Sequence, residues 1–161
     1  MAVEFLGIDH IYLSVSDFSR SEEFYDHALR ALGFHRGDSP IGGAPHRHYY
    51  CRHFQLSIRP ARRELVHDPY APGVHHVCMR VSDRAAVDAA AEALKAAGID
   101  IDGPKSWPEY APDYYALFFS DPDGIRLEIV NYFERRGMLH ARWHELEVFE
   151  NPLDRLLAKK S

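Results

Sequence analysis

Cysteine is nearly absent from this chain of 161 residues, which carries only Cys51 and Cys78. Two thiols cannot build a disulfide framework, and their scarcity matches a reducing compartment in which they stay free. A basic surplus is missing too: 19 Lys and Arg stand against 24 Asp and Glu, for a net charge of −5, and the signs are intermixed. No face advertises a nucleic-acid partner. Long apolar runs are also lacking. The opening MAVEFLGIDHIYLSV has no basic stretch ahead of its apolar residues and is interrupted by Asp9 and His10, so neither a signal peptide nor a membrane span is expected. The expectation is a cytoplasmic protein with no membrane partner. What remains is globular composition, 46% hydrophobic and 27% charged, enough for one core or two small fused modules. The one excess is histidine, with eleven; several, such as His46 and His48, read as surface residues of a polar loop.

A repeat organises the chain. GIDHIYLSVSD at 7–17 is echoed by GVHHVCMRVSD at 73–83, so that Gly7 matches Gly73, His10 matches His76 and Ser16-Asp17 matches Ser82-Asp83. Ile11, Leu13 and Val15 alternate in the first copy, as Val77, Met79 and Val81 do in the second, which is the period of a strand with one buried face. Ser16-Asp17 and Ser82-Asp83 then offer N-cap oxygens to helices over 19–32 and 84–97. Phe24, Ala28, Leu29 and Leu32 form the apolar stripe of one helix, Val87, Ala90, Ala91 and Leu94 that of the other, and Gly33 and Gly98 follow as C-cap candidates. Further strands are expected over 48–51, 54–58, 114–119 and 125–130, the last two joined by the turn Asp121-Pro122-Asp123-Gly124. The organisation is α+β: a module over 1–59, a charged and proline-rich linker over 60–72, a second module over 73–132, and a C-terminal helical tail over 133–161.

Strand parity sorts the side chains by face. Leu127 and Ile129 share the core side, so Glu128 lies opposite, on the face that His10 and His76 occupy in their own strands. Two imidazoles and one carboxylate on three strands make a facial triad for one divalent ion, with open positions for water and a substrate chelating through two oxygens. His75 alternates to the helix-packed side. Cys78 shares the ligand face as a pocket-lining residue, without a nucleophilic role.

The motifs GIDHIYLSVSD, GVHHVCMRVSD and FFSDPDGIRLEIV, covering roughly residues 5–132, resemble the vicinal-oxygen-chelate superfamily of glyoxalases, extradiol dioxygenases, fosfomycin transferases and bleomycin-resistance proteins. That resemblance implies two tandem βαβββ modules forming a curved mixed sheet around a metal or ligand cavity. Its ligands fall on His10, His76 and Glu128, holding Fe2+, Mn2+, Zn2+ or Ni2+. Members with four protein ligands take another from the first module; here that position is Ser57, unless Gln55 or His53 replaces it through a register shift. The three-ligand dioxygenases and transferases usually carry a tyrosine ten residues before the carboxylate, where this chain has Phe118, and the transferases favour threonine where it has Tyr12.

Parity also directs Tyr12, Ser14, Gln55, Ser57, Arg59, Arg80 and Arg126 toward the ligand face, with arginines suited to a small anionic or oxygen-rich substrate. Tyr114 and Tyr115 are the candidate proton carriers, and Tyr12, Tyr115 and Phe118 the expected aromatic wall. The expected function is a metal-dependent lyase, isomerase or dioxygenase, with a metal-free small-molecule binding protein of bleomycin-resistance type as the alternative. Leu139, Trp143, Leu146 and Phe149 recur near helical spacing over 134–150, Asn151-Pro152 breaks that helix, and a short last helix is expected over 152–160. Such a stripe predicts a homodimer, or a tail that covers the pocket mouth.

Overall fold

The computed structural model describes residues 5–63 and 65–143. The first module runs β1 (His10–Val15), α1 (Phe18–Ala31), β2 (His35–Ile41), β3 (Ala44–Tyr50) and β4 (Gln55–Pro60). The second repeats it as β5 (His76–Arg80), α2 (Arg84–Ala96), β6 (Asp102–Ser106), β7 (Tyr115–Ser120) and β8 (Arg126–Val130), followed by α3 (Glu134–Ala141). The strands form two four-stranded mixed sheets, ordered β1-β4-β3-β2 and β5-β8-β7-β6, one for each βαβββ module. Both helices start at the expected caps: the Asp17 carboxylate accepts from the Arg20 amide and that of Asp83 from the Ala86 amide.

Edge strands β2 and β6 supply the strand of each βαβββ module that periodicity had not placed. Their sequences, HRGDSPI and DGPKS, are charged and rich in glycine or proline, so neither shows apolar alternation. His46 and His48 likewise belong to β3 and are buried, not placed in a surface loop. Of the tail, α3 is described, whereas Leu146, Phe149, the break at Asn151-Pro152 and the last short helix lie outside the described residues.

One shared core unites the modules. Leu13, Val15, Leu56 and Ile58 of the first sheet join Leu117, Phe119, Leu127 and Ile129 of the second, with Tyr25, Leu29, Val87 and Leu94 of the helices between them. Each such side chain contributes on the order of 1.5–3 kcal/mol of burial before entropy. The β7–β8 hairpin fastens this junction: Tyr25 donates its buried phenol to Asp121 at 2.9 Å, Asp123 accepts from the Ser16 amide at 2.7 Å and from Arg20 at 3.1 Å, and Phe24 meets Phe119. Burial first, and Asp121 second, raise the Tyr25 pKa well above the ordinary phenol value, so it remains a donor. Tyr25→Phe strips a buried carboxylate oxygen of that partner and is expected to cost about 1–3 kcal/mol, read as a lowered urea midpoint with unchanged slope.

Candidate functional site

The helix-packed sides of both sheets are consumed by the shared core, which leaves the two opposite faces to carry the chemistry. In the second module, β5 and β8 run parallel with Cys78 opposite Glu128. His76 Nε2 thereby stands 3.5 Å from Glu128 Oε2, with the glutamate side chain only 4% exposed and the histidine 39%. Donors sharing an ion at about 2.0–2.2 Å stand roughly 3.0–3.5 Å apart, so this pair fits a divalent metal. Tyr114 donates to Glu128 Oε1 at 2.5 Å, and burial, followed by that carboxylate, raises its pKa. The phenol therefore stays protonated and orients the glutamate.

Cys78 reaches the surface, yet packing around its sulfur, and then the Glu128 charge, push the thiol up to about 12. It is expected to resist iodoacetamide at pH 8, while Glu128→Gln, by removing a negative neighbour, moves its reactivity profile to lower pH. Alkylation followed by peptide mass spectrometry checks both.

Phe118 pairs across strands with Glu128 on the same face, under the Arg126 guanidinium at 3.9 Å and the edge of Trp107 at 5.0 Å. Ala116, Phe118 and Val130 form a second apolar cluster there with Trp107, Tyr114 and Phe133, and Arg80 lies over the Tyr132 ring. Tyr115 must be corrected as a catalytic and wall residue. It alternates with Leu117 and Phe119 toward the helix side and gives its phenol to Asp88 of α2 at 2.7 Å, away from Glu128. His75 is corrected in the other direction. It precedes β5, is exposed, and meets His76 at an Nδ1–Nδ1 distance of 2.7 Å, because alternation starts only with the strand.

The first module presents the corresponding face. Tyr12 pairs with Ser57 across β1 and β4, as Cys78 pairs with Glu128, so Ser57 is the positional counterpart of Glu128. Its hydroxyl is engaged by His48 Nδ1 at 2.8 Å and Gln55 Nε2 at 2.5 Å, while His48 Nε2 meets Ser39 at 2.7 Å. Burial, with His46 second, lowers the His48 pKa, leaving a neutral ring. No register shift brings in a substitute ligand: Gln55 pairs opposite His10, and His53 is exposed in the turn before β4. Tyr12 lies edge-on to His10, His46 and His48 at 5.3, 6.0 and 6.1 Å. His46 and His48 were missed as site-face residues. The discriminating signal was their alternation with Arg47 and Tyr49, which bind Glu22 and Asp26 of α1 on the other side. Trp107, Tyr110 and Phe133 were missed because they flank strands and carry no period.

His10 is the residue the chain does not bring to the others. It lies on the first sheet, its side chain 53% exposed and its Nδ1 on Asp9. Among the described residues no group of three His, Cys, Asp or Glu side chains can hold an ion. Two surface recesses of about 800 and 400 Å³ lie beside Asp123 and beside Arg126, and neither is lined by His10, His76 or Glu128. The strand faces that carry His10 and His76 lie opposite this shared core.

Residues 7–129 match the model of the Glyoxalase/Bleomycin resistance protein/Dioxygenase superfamily, and the chain belongs to that superfamily. An uncharacterized protein of Bacillus subtilis strain 168, YqjT, is 29% identical over 125 residues, 75% of this chain and 95% of that protein. Among solved structures, a glyoxylase/bleomycin resistance protein/dioxygenase domain from Frankia sp. EAN1pec is similar at 21% identity and a TM-score of 0.64, covering 80% of this chain and 98% of that one. A lactoylglutathione lyase from Agrobacterium tumefaciens is similar at 22% and 0.58, covering 79% and 94%. TnmS3, an antibiotic binding protein from Streptomyces sp. CB03234, is similar at 24% and 0.56, covering 81% and 98%. At these identities the three structures establish the fold. No described helix is long and apolar enough to cross a membrane.

Proposed function

We propose that this chain is a metal-dependent enzyme whose site is shared between two copies: His76 and Glu128 of one chain and His10 of the other hold one divalent ion, Fe2+, Mn2+, Zn2+ or Ni2+. The substrate is a small oxygen-rich or anionic molecule bound through vicinal oxygens. The reaction is that of a lyase or isomerase, with dioxygenation as the alternative when the ion is iron. The observation that carries the reading is the 3.5 Å approach of His76 Nε2 to a nearly buried Glu128. A bound ion would supply Lewis-acid polarisation of two adjacent oxygens.

The chain's own residues do the rest. Tyr114 holds Oε1 of Glu128, so that Oε2 faces His76. Arg80 and Arg126 favour negative charge on the substrate, and Phe118 with Trp107 excludes water from the carboxylate. Tyr12, Gln55 and Ser57 contribute from the face that carries His10. Assembly is supported by what a single chain leaves bare: Phe5, Leu6 and Ile8 before β1, and Val74 at the position that the repeat equates with Ile8. Exposed apolar residues gathered beside an incomplete site favour a second copy.

Metal analysis with light scattering on tag-free protein tests the proposal. The expected result is a dimer of 18.5 kDa chains with one ion per site. A monomer that takes up no Zn2+, Mn2+, Ni2+ or anaerobic Fe2+ overturns it and favours the metal-free binding protein.

A further inference from the structure

The recess of about 400 Å³ beside Arg126 carries charges of both signs. Strand pairing sets Asp102 opposite Phe118 and Ser120 opposite Arg126, and Asp100 and Ile101 complete the wall where the chain enters β6. Asp102 is held by the Lys105 ammonium at 2.9 Å, and that ammonium also lies over the Trp107 ring. The other charges are open. Among the described residues no hydrogen bond or ion pair engages the Asp100 carboxylate, the Ser120 hydroxyl or the Arg126 guanidinium, which lies on the Phe118 ring at 3.9 Å. We propose that this recess binds a free α-amino acid with an apolar side chain: Arg126 takes its carboxylate, Asp100 its ammonium, and Ile101 and Phe118 its side chain.

A guanidinium flattened on an aromatic ring keeps its N–H edges free and fixed in direction, the arrangement that receives a carboxylate through two parallel bonds. Arg126 is thus a prepared anion site. A simple anion, however, meets Asp100 as a like charge, and a simple cation meets Arg126. Each is penalised by the group it cannot pair. A zwitterion satisfies both, and an α-amino acid sets its carboxylate and ammonium on one carbon. Ser120 Oγ accepts from the same ammonium. Size and lining select the rest of the molecule, since 400 Å³ lies near the lower end of the roughly 300–1,000 Å³ of small-ligand sites. Ile101 and the nearly buried Phe118 offer apolar surface to a side chain. The recess shares Arg126 with the function proposed above, yet it includes neither His76 nor Glu128 and requires no ion.

Calorimetric titration of the full-length protein in excess chelator tests the site. The probes are L-leucine and the two molecules that keep its skeleton and lose one charge, 4-methylpentanoate and 3-methylbutylamine. L-leucine is expected to bind about tenfold or more tightly than either. The variants then diverge. Arg126→Gln weakens L-leucine about tenfold and does not weaken the amine, whereas Asp100→Asn weakens L-leucine about tenfold and tightens 4-methylpentanoate. A damaged fold would weaken all three together. Neither side chain has a polar partner within the described chain, so both variants are expected to melt close to the wild type. Three results overturn the site: no heat from L-leucine or L-phenylalanine, L-leucine binding no tighter than 4-methylpentanoate, or Asp100→Asn titrating like the wild type. Metal uptake is measured apart. Protein that loads metal but ignores L-leucine refutes the amino-acid site alone, and protein that binds L-leucine but no metal supports the site while refuting the metal centre.

Discussion

Chains carrying His10→Ala and chains carrying His76→Ala, each unable to load metal alone, regain it when co-expressed. In the mixed dimer one site receives His10 from the His76→Ala chain together with His76 and Glu128 from the His10→Ala chain, so that site is wild type while the other lacks both histidines. Each parent dimer instead holds two sites with one ligand missing. The loss in either parent is expected to exceed the roughly 10–100-fold typical of removing an outer partner, because a donor itself is gone. Two differently tagged chains, tandem affinity purification and metal quantification give the readout. A site completed within one chain predicts the reverse: no mixture restores anything, since each chain carries its own defect. The expectation follows from the shared-site proposal, which is motivated by the common core behind both sheets and by the failure of His10 to join the His76–Glu128 pair.

Glutamate at positions 8 and 74 is expected to split the dimer and to take the metal with it. Ile8 is 64% exposed and Val74 41%, and the repeat places them equivalently, just ahead of the two strands that begin with the histidine ligands. Substitution there leaves each chain's own core untouched, so the double variant keeps its helical and strand signature. Charges forced into a seam between copies are costly without a partner. Sedimentation is expected to show a single 18.5 kDa species. Metal affinity falls with it, because a lone chain retains two of the three donors. Unchanged mass and unchanged metal content would place the contact between copies elsewhere.

Much of this architecture was legible because the chain states it twice. Alternation in HIYLSV and HVCMR sorted the side chains of β1 and β5 by face, and the aspartates at the caps marked the helix starts. The repeat also located Ser57 as the counterpart of Glu128, which the strand pairing bears out. Edge strands escaped because an edge needs no buried row: HRGDSPI pairs through its backbone, and its Arg36 is spent on Glu22, Asp26 and Asp38. Tyr115 was misread because proximity in sequence to a carboxylate says nothing of face, and a one-residue step in a strand reverses it. Tyr114, one position earlier, is the residue that reaches Glu128. His75 failed for the opposite reason, since it sits before the strand begins and obeys no alternation. Nothing in a single sequence reveals whether the three proposed ligands would meet within one chain or between two. That depends on how the modules pack, which local periodicity does not encode.

On the shared-site proposal, the clasp at Asp121 and Asp123 decides which chain owns each ligand. Tyr25, Ser16 and Arg20 pin the β7–β8 turn against the first module, and with it the angle at which the modules face away from each other. A chain with the same three donors and a looser clasp could swing one module about the linker and satisfy its own metal, becoming a self-sufficient monomer. If the site is shared as proposed, an isolated molecule would carry two half-sites and no whole one. Loading and pairing would then be linked equilibria, each strengthening the other by the same factor. Dilution alone would strip the ion from the protein.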